Sequence, residues 1–209
     1  MVSYILSLGN RASRRLPLSG SIPFNQHPGR SRNASYILRA AYTDNGGENS
    51  APLSQQVLYR FRYPRLQAEE YDERYETTTY EGGMQDGGFF VNCRDEGSYL
   101  KYRDIDLTGI REINYRLTSP VCAGRIELRL DARDGPVVST LDYPANGKWE
   151  NWVDRAAALT PTTGRHDLFF VVRKKKATDV EIINLDYIEF RAGPVAGRFD
   201  PSNHFPQIP

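Results

Sequence analysis

Apolar residues recur at every second position along much of this chain, as in Ile113, Tyr115 and Leu117, Ile126, Leu128 and Leu130, or Leu168, Phe170 and Val172. Successive side chains of an extended strand point to opposite faces, so this period predicts strands with one face turned to a core. No convincing apolar repeat at helical spacing accompanies them. The 17 glycines and 13 prolines fall mostly between the strand-like runs, as they do in antiparallel proteins with many turns. The pattern predicts an all-β protein, a β-sandwich.

The strand-like run Gln56–Tyr63 meets Pro64, and a new run begins at Leu66, which predicts a boundary there. Four strands are expected before it, near residues 2–8, 16–24, 35–43 and 55–63. About 63 residues with four strands fall short of an immunoglobulin-like sandwich, which takes about 100 residues and seven strands. Residues 1–63 are therefore read as a partial immunoglobulin-like β-segment. Its run Tyr36-Ile-Leu-Arg-Ala-Ala-Tyr-Thr-Asp-Asn-Gly-Gly47 resembles the late strand and turn of polycystic-kidney-disease-type repeats. Residues 64–192 are long enough for a complete sandwich, and 193–209, with four prolines, read as an extended tail.

Composition narrows the functions. The 209 residues carry 27 Lys and Arg against 26 Asp and Glu, a net charge of +1, so no global field recruits nucleic acid or an anionic membrane. The basic run Arg173-Lys-Lys-Lys176 is short enough to be a solvated hairpin that discourages edge pairing. No segment reaches the roughly 20 apolar residues of a membrane span, and the opening residues lack the organisation of a signal peptide. Two cysteines, Cys93 and Cys122, are too few for a disulfide framework or a zinc site; a single bridge and two free thiols both fit. Three histidines at 27, 166 and 204 have no metal-motif spacing. Neither a serine nucleophile elbow nor a phosphate-cradling loop occurs. The expectation is a protein that is not an enzyme.

Two features carry candidate chemistry. Polar residues interrupt apolar runs at Gln67 and Glu69 near one end of the second region, and at Asn184 and Asp186 near the other. Buried carboxylates need compensation, either a salt bridge or a hard cation such as calcium, which collects oxygens of this kind. The second feature is Ala145-Asn-Gly-Lys-Trp-Glu-Asn-Trp152. In a strand Trp149 and Trp152 would point to opposite faces, leaving one indole in the core and the other open. An open indole is a flat platform for the C–H face of a sugar ring, whose hydroxyls then need partners such as Asn184. Two core tryptophans are the alternative.

Seven motifs in order, Leu66-Gln-Ala-Glu-Glu-Tyr71, Glu96-Gly-Ser-Tyr-Leu100, Asp106-Leu-Thr-Gly-Ile110, Gly124-Arg-Ile-Glu-Leu-Arg-Leu-Asp131, Gly147-Lys-Trp149, Gly164-Arg-His-Asp-Leu-Phe-Phe170 and Asn184-Leu-Asp-Tyr-Ile-Glu-Phe190, resemble family 6 carbohydrate-binding modules. Such modules are appended to secreted bacterial sugar dehydrogenases, cytochromes and hydrolases. The resemblance implies a jelly roll with a structural calcium (Ca2+) held by Gln67, Glu69 and Asp186, and a sugar cleft with Trp149 as one aromatic wall and Asn184 as the hydrogen-bonding amide. The position of the second aromatic wall is Cys93, which cannot stack on a pyranose; Phe89, Phe90 or Tyr99 stand nearby as replacements. The implied partners are a polysaccharide or oligosaccharide and a neighbouring enzyme domain, and the implied location is secreted, periplasmic or cell-surface.

Overall fold

The computed structural model describes residues 2–8, 11–16, 35–47, 50–82, 88–176 and 182–193, and the side chains of all of these except 2–8, 11–16, 35–36 and 60–62. The chain divides into two compact units, Met1–Leu66 and Gln67–Pro209. The tail expected over 193–209 lies, from 194 onward, outside the described residues.

In the first unit, β1 (Val2–Leu8), β2 (Arg11–Leu16), β3 (Ser35–Thr43) and β4 (Ser54–Arg62) form one antiparallel sheet in the order β2-β1-β3-β4. The second strand stands earlier than the 16–24 expected, and residues 17–24 lie outside those described. Asp44 closes the β3–β4 connection by accepting the amides of Gly46 and Leu53 at 2.9 and 2.8 Å. Leu58 and Tyr59 remain 61% and 54% exposed, as they must in a single layer.

The second unit is a sandwich. Its strands are β5 (Arg65–Gln67, which straddles the division), β6 (Glu73–Tyr75), β7 (Thr77–Glu81), β8 (Phe89–Cys93), β9 (Tyr99–Asp106), β10 (Ile110–Thr118), β11 (Gly124–Leu130), β12 (Val137–Tyr143), β13 (Val153–Ala158), β14 (Arg165–Lys174) and β15 (Ile183–Ala192). One sheet runs β13-β10-β15-β8-β7, with β5 beside β15, and the other runs β12-β11-β14-β9-β6. The alternation read from the sequence is the one that packs. In β11, Ile126 and Leu128 are fully buried while Arg125, Glu127 and Arg129 face away. Leu100, Ile113, Leu117, Leu168, Ile183 and Leu185 fill the space between the sheets, each contributing about 1.5–3 kcal/mol by leaving water. Phe170 anchors the middle, meeting Tyr102 and Tyr115 edge-on at 5.7 and 6.0 Å.

Two local expectations are corrected. The run from Leu66 is not one strand: it stops at Gln67, and Ala68–Glu70 form a 3-10 turn whose Ala68 is sealed in the core. Gln67 and Glu69 therefore do not share a strand face. Residues 144–152 are a loop and not a strand, so the different environments of the two tryptophans come from loop geometry. Cys93 and Cys122 are both buried and form no disulfide, one of the two states the sequence left open.

Candidate functional site

Four connections pass between the two sheets at one end of the sandwich. β8 ends at Cys93 and β9 starts at Tyr99, β10 ends at Thr118 and β11 starts at Gly124, β12 ends at Tyr143 and β13 starts at Val153, and β14 ends at Lys174 where β15 will begin at Ile183. Pairing fixes this convergence: Asn184 sits opposite both Asn92 and Thr118, and Gly124 opposite both Tyr143 and Lys174.

The 144–152 loop is braced at several points. Asn146 and Asn151 exchange side-chain amides with each other's carbonyls at 2.6 and 2.7 Å. The amides of Asn146 and Gly147 donate to the carbonyls of Ser119 and Pro120, and Gly147 turns the chain at φ +93°, a conformation that costs glycine nothing. Thr118 Oγ1 donates to the Lys148 carbonyl at 2.9 Å. Trp149 follows directly in this braced loop, at the same end of the sandwich as the Thr118–Asn184 pair. Trp149 is 36% exposed as a residue. Trp152 is half-buried and packs edge-on against Phe90, 5.6 Å away, which stacks on Tyr80 at 5.6 Å.

Asn184 is 6% exposed and accepts a 2.7 Å hydrogen bond from Asn92 Nδ2 onto its Oδ1. Its oxygen is thus engaged by Asn92. Asn92 was not foreseen from the sequence. The available signal was a polar residue between two apolar ones, Val91 and Cys93, in an otherwise buried strand.

The other expected contact residues stand elsewhere. Cys93 is fully buried, and burial pushes its thiol up to about 12, so that position supplies no wall to a surface cleft; a small side chain there sinks into the core. Tyr99 belongs to the opposite sheet. Its ring stacks on Tyr75 at 5.8 Å and tilts against Phe169, its hydroxyl donates to Glu73 at 2.7 Å, and the Arg133 guanidinium lies 5.6 Å from its centre. The bond to Glu73 leads in holding the phenol above its ordinary pKa. Tyr99 is not brought together with Trp149 and Asn184. Phe89 is 43% exposed at the start of β8, and Phe90 lies under Trp152 and Tyr80.

The three expected metal ligands come from neighbouring elements, since β5 lies beside β15 and the Ala68–Glu70 turn packs on β8 and β15. Gln67 is 4% exposed and its Nε2 has no hydrogen-bond partner. Asp186 stands where the β10–β15 register slips, and Arg116 Nε approaches its carboxylate to 3.4 Å while also bonding Asp154 at 3.2 Å. Among the described residues no three His, Cys, Asp or Glu side chains converge as a metal site.

A sandwich that mounts an open indole and an oriented amide on one loop-bearing end defines a class, the sugar-binding β-sandwich modules. The sequence model for carbohydrate binding module (family 6) matches residues 67–192, and the chain belongs to that family. A family 6 module from Clostridium cellulolyticum solved in complex with xylose is 27% identical, with a TM-score of 0.57 over 62% of this chain and 97% of that one. A β-1,3-glucan-binding module from Bacillus halodurans is 25% identical, with a TM-score of 0.58 over 62% of this chain and 96% of that one. Among curated proteins, an arabinoxylan arabinofuranohydrolase of Bacillus subtilis is 33% identical over 87 residues, 42% of this chain and 16% of the enzyme. The chain spans about a sixth of the length of the curated relatives it matches.

Proposed function

We propose that residues 67–192 form a non-catalytic module that grips a glycan between the face of Trp149 and the amide of Asn184 and holds a neighbouring enzyme domain against it. The observation that carries this reading is the exposed Trp149 ring on a loop braced by Asn146, Asn151 and Thr118. Preorganisation matters because a platform already rigid loses little entropy on binding. A single platform with one amide gives a dissociation constant on the order of 10–1,000 μM. The xylose complex of one similar module and the arabinoxylan-directed name of one relative support xylan-type chains as the first ligands to try. A polymeric ligand also supports action outside the cytoplasm, in a secreted, periplasmic or cell-surface setting.

Calcium belongs to the same proposal. Gln67, Glu69 and Asp186 offer oxygens of the hard type the ion takes. The buried Gln67 amide fits this role, because its Nε2 is without a partner and the reversed amide presents an oxygen at the same point. Bound there, the ion would tie the β5 end and its turn to β15. Asp186 would then share its charge between the ion and Arg116.

A structural β-sandwich with a degenerate cleft is the second reading, favoured by the burial of Cys93 and by the engagement of Asn184 Oδ1. Affinity electrophoresis through xylan, β-1,3-glucan and cellulosic gels separates the two. Retardation on at least one polymer that disappears in Trp149→Ala supports sugar binding. Equal mobility of native and variant protein on every polymer leaves the structural reading.

A further inference from the structure

A cation-lined hollow of about 650 Å³ opens at this same end of the sandwich, on the side of the second sheet. Its walls include Arg125, Arg173, Lys174 and Lys175, with Asp142 and Glu127 as the only acids among its lining residues and Tyr143 and Pro144 at its edge. Arg125, Arg173 and Lys174 each also meet a carboxylate, whereas Lys175 enters no salt bridge among the described residues.

Strand register makes this gathering of cations hard to attribute to packing alone. Arg125 and Arg173 are direct cross-strand partners on β11 and β14, and like charges placed opposite each other destabilise a sheet. Nearby carboxylates hold the pair through two nitrogens of each guanidinium, which leaves Arg125 Nη1 and Arg173 Nη2 as the N–H groups for an anion. Asp142 takes Arg125 at 2.9 and 3.1 Å, and Glu127 takes Arg173 Nε at 3.0 Å and also Arg129 at 2.8 Å. Glu96 meets Arg173 Nη1 at 3.2 Å, and Asp95 meets Lys174 at 2.6 Å. Lys175 is exposed at the rim, with Asp142 near enough to feel its charge.

Position supplies the second argument. Tyr143 and Pro144 form the edge of the hollow and are also the first residues of the connection that carries Trp149. That connection is bonded to Ser119 and Pro120, which lead into Ala123 and Gly124 of the same lining. One loop therefore borders both the indole platform and the cationic hollow.

We propose that this hollow is an accessory subsite for an anionic substituent on a saccharide, a uronate carboxylate or a sulfate ester, with Arg125, Arg173 and Lys175 as its cations. The proposal rests on the sugar-binding reading for its choice of a saccharide as carrier. Guanidinium pairs suit such groups because each presents a planar fork of N–H donors to two oxygens. A glycan substituted with acids would be gripped at two points, its neutral ring on Trp149 and its anion here.

Titrations followed by backbone amide resonances test this with methyl β-glucuronoside, glucose 6-sulfate, methyl β-glucoside and inorganic sulfate on the full chain. The expected result is saturable shifts at Arg125, Tyr143, Lys174 and Lys175 with one or both anionic sugars and none there with the neutral glucoside. The tighter of the two anionic sugars identifies the substituent. Arg125→Gln with Lys175→Gln, both exposed side chains, should weaken that binding by about fivefold or more while leaving neutral-sugar shifts at Trp149 unchanged. Shifts of equal size with neutral and anionic sugars, no shift at these residues, or equal affinity for inorganic sulfate each overturn the proposal. The same titration on Trp149→Ala keeps the two ideas apart. Absence of neutral-sugar shifts at Trp149 in the native protein refutes the platform, whereas absence of the anion-dependent shifts at Arg125 and Lys175 in the native protein refutes the hollow.

Discussion

Two aromatic surfaces on the second unit look alike in composition and differ in what their rings are free to do. At the loop end, Trp149 stands open and its support is polar: reciprocal Asn146–Asn151 amides, the Thr118 hydroxyl and backbone bonds to Ser119 and Pro120. On the opposite sheet, Tyr99 is stacked on Tyr75, tilted on Phe169, approached by Arg133 and tied through its hydroxyl to Glu73. The first surface spends hydrogen bonds on holding a loop so that a ring need not pack. The second uses its ring as packing. Availability, and not mere presence, separates a platform from a piece of the fold.

The sharpest test of that contrast is a pair of truncations. Trp149→Ala should cost sugar affinity by a factor of about 30, near 2 kcal/mol, with little change in melting temperature. Tyr99→Ala should do the reverse, lowering stability by about 2 kcal/mol in denaturant titrations and leaving affinity within about twofold. A large affinity loss in Tyr99→Ala would erase the distinction. Weaker effects probe the bracing. Asn146→Ala removes three side-chain bonds, to the Asn151 carbonyl, the Thr118 hydroxyl and the Ser119 amide, and calorimetry should find stability down by about 1 kcal/mol and sugar affinity down about threefold, through a looser Trp149. Calcium sharpens the account of the scaffold beneath both surfaces: if Gln67, Glu69 and Asp186 bind it, the ion raises the melting temperature, chelator lowers it, and Asp186→Asn blunts the response.

The smallest expected effect lies at the far end of the sandwich. His166 at the start of β14 meets Asp131 Oδ2 at 2.9 Å and the Thr163 carbonyl at 3.2 Å, and the Asp131 bond leads in raising its pKa above the ordinary 6.5. A raised folded-state value means the protonated form favours the fold. That contribution is complete below about pH 6.5 and is lost as pH rises through the folded value. Denaturation midpoints should therefore fall by a few tenths of a kcal/mol between pH 6 and pH 8, a difference that His166→Asn removes. Sugar affinity should stay unchanged across the same range, since His166 is remote from the loop end.

Much of the sandwich was legible because period-two alternation is a local signal: Ile126 and Leu128 inward with Glu127 outward could be read from seven residues. Trp149 was legible as a candidate because it follows the Asn-Gly-Lys turn. What escaped depends on pairing at long range or on competition between local forms. Asn92 and Asn184 meet across 92 positions of sequence, and nothing local marks that contact. The 3-10 turn at Ala68–Glu70 was hidden because Leu66-Gln-Ala-Glu69 reads as alternation, whereas burial of Ala68 bends the chain. Tyr99 was misjudged for a related reason: proximity to Cys93 in sequence spans a turn from one sheet to the other.

Fluorescence of a Trp152→Phe protein, in which Trp149 is the sole tryptophan, tests the central claim most directly when xylo-oligosaccharides and laminari-oligosaccharides are titrated in. The account predicts a saturable change in Trp149 emission whose midpoint matches the calorimetric dissociation constant. Binding heat without any change in that emission would show that the sugar sits elsewhere and would contradict it.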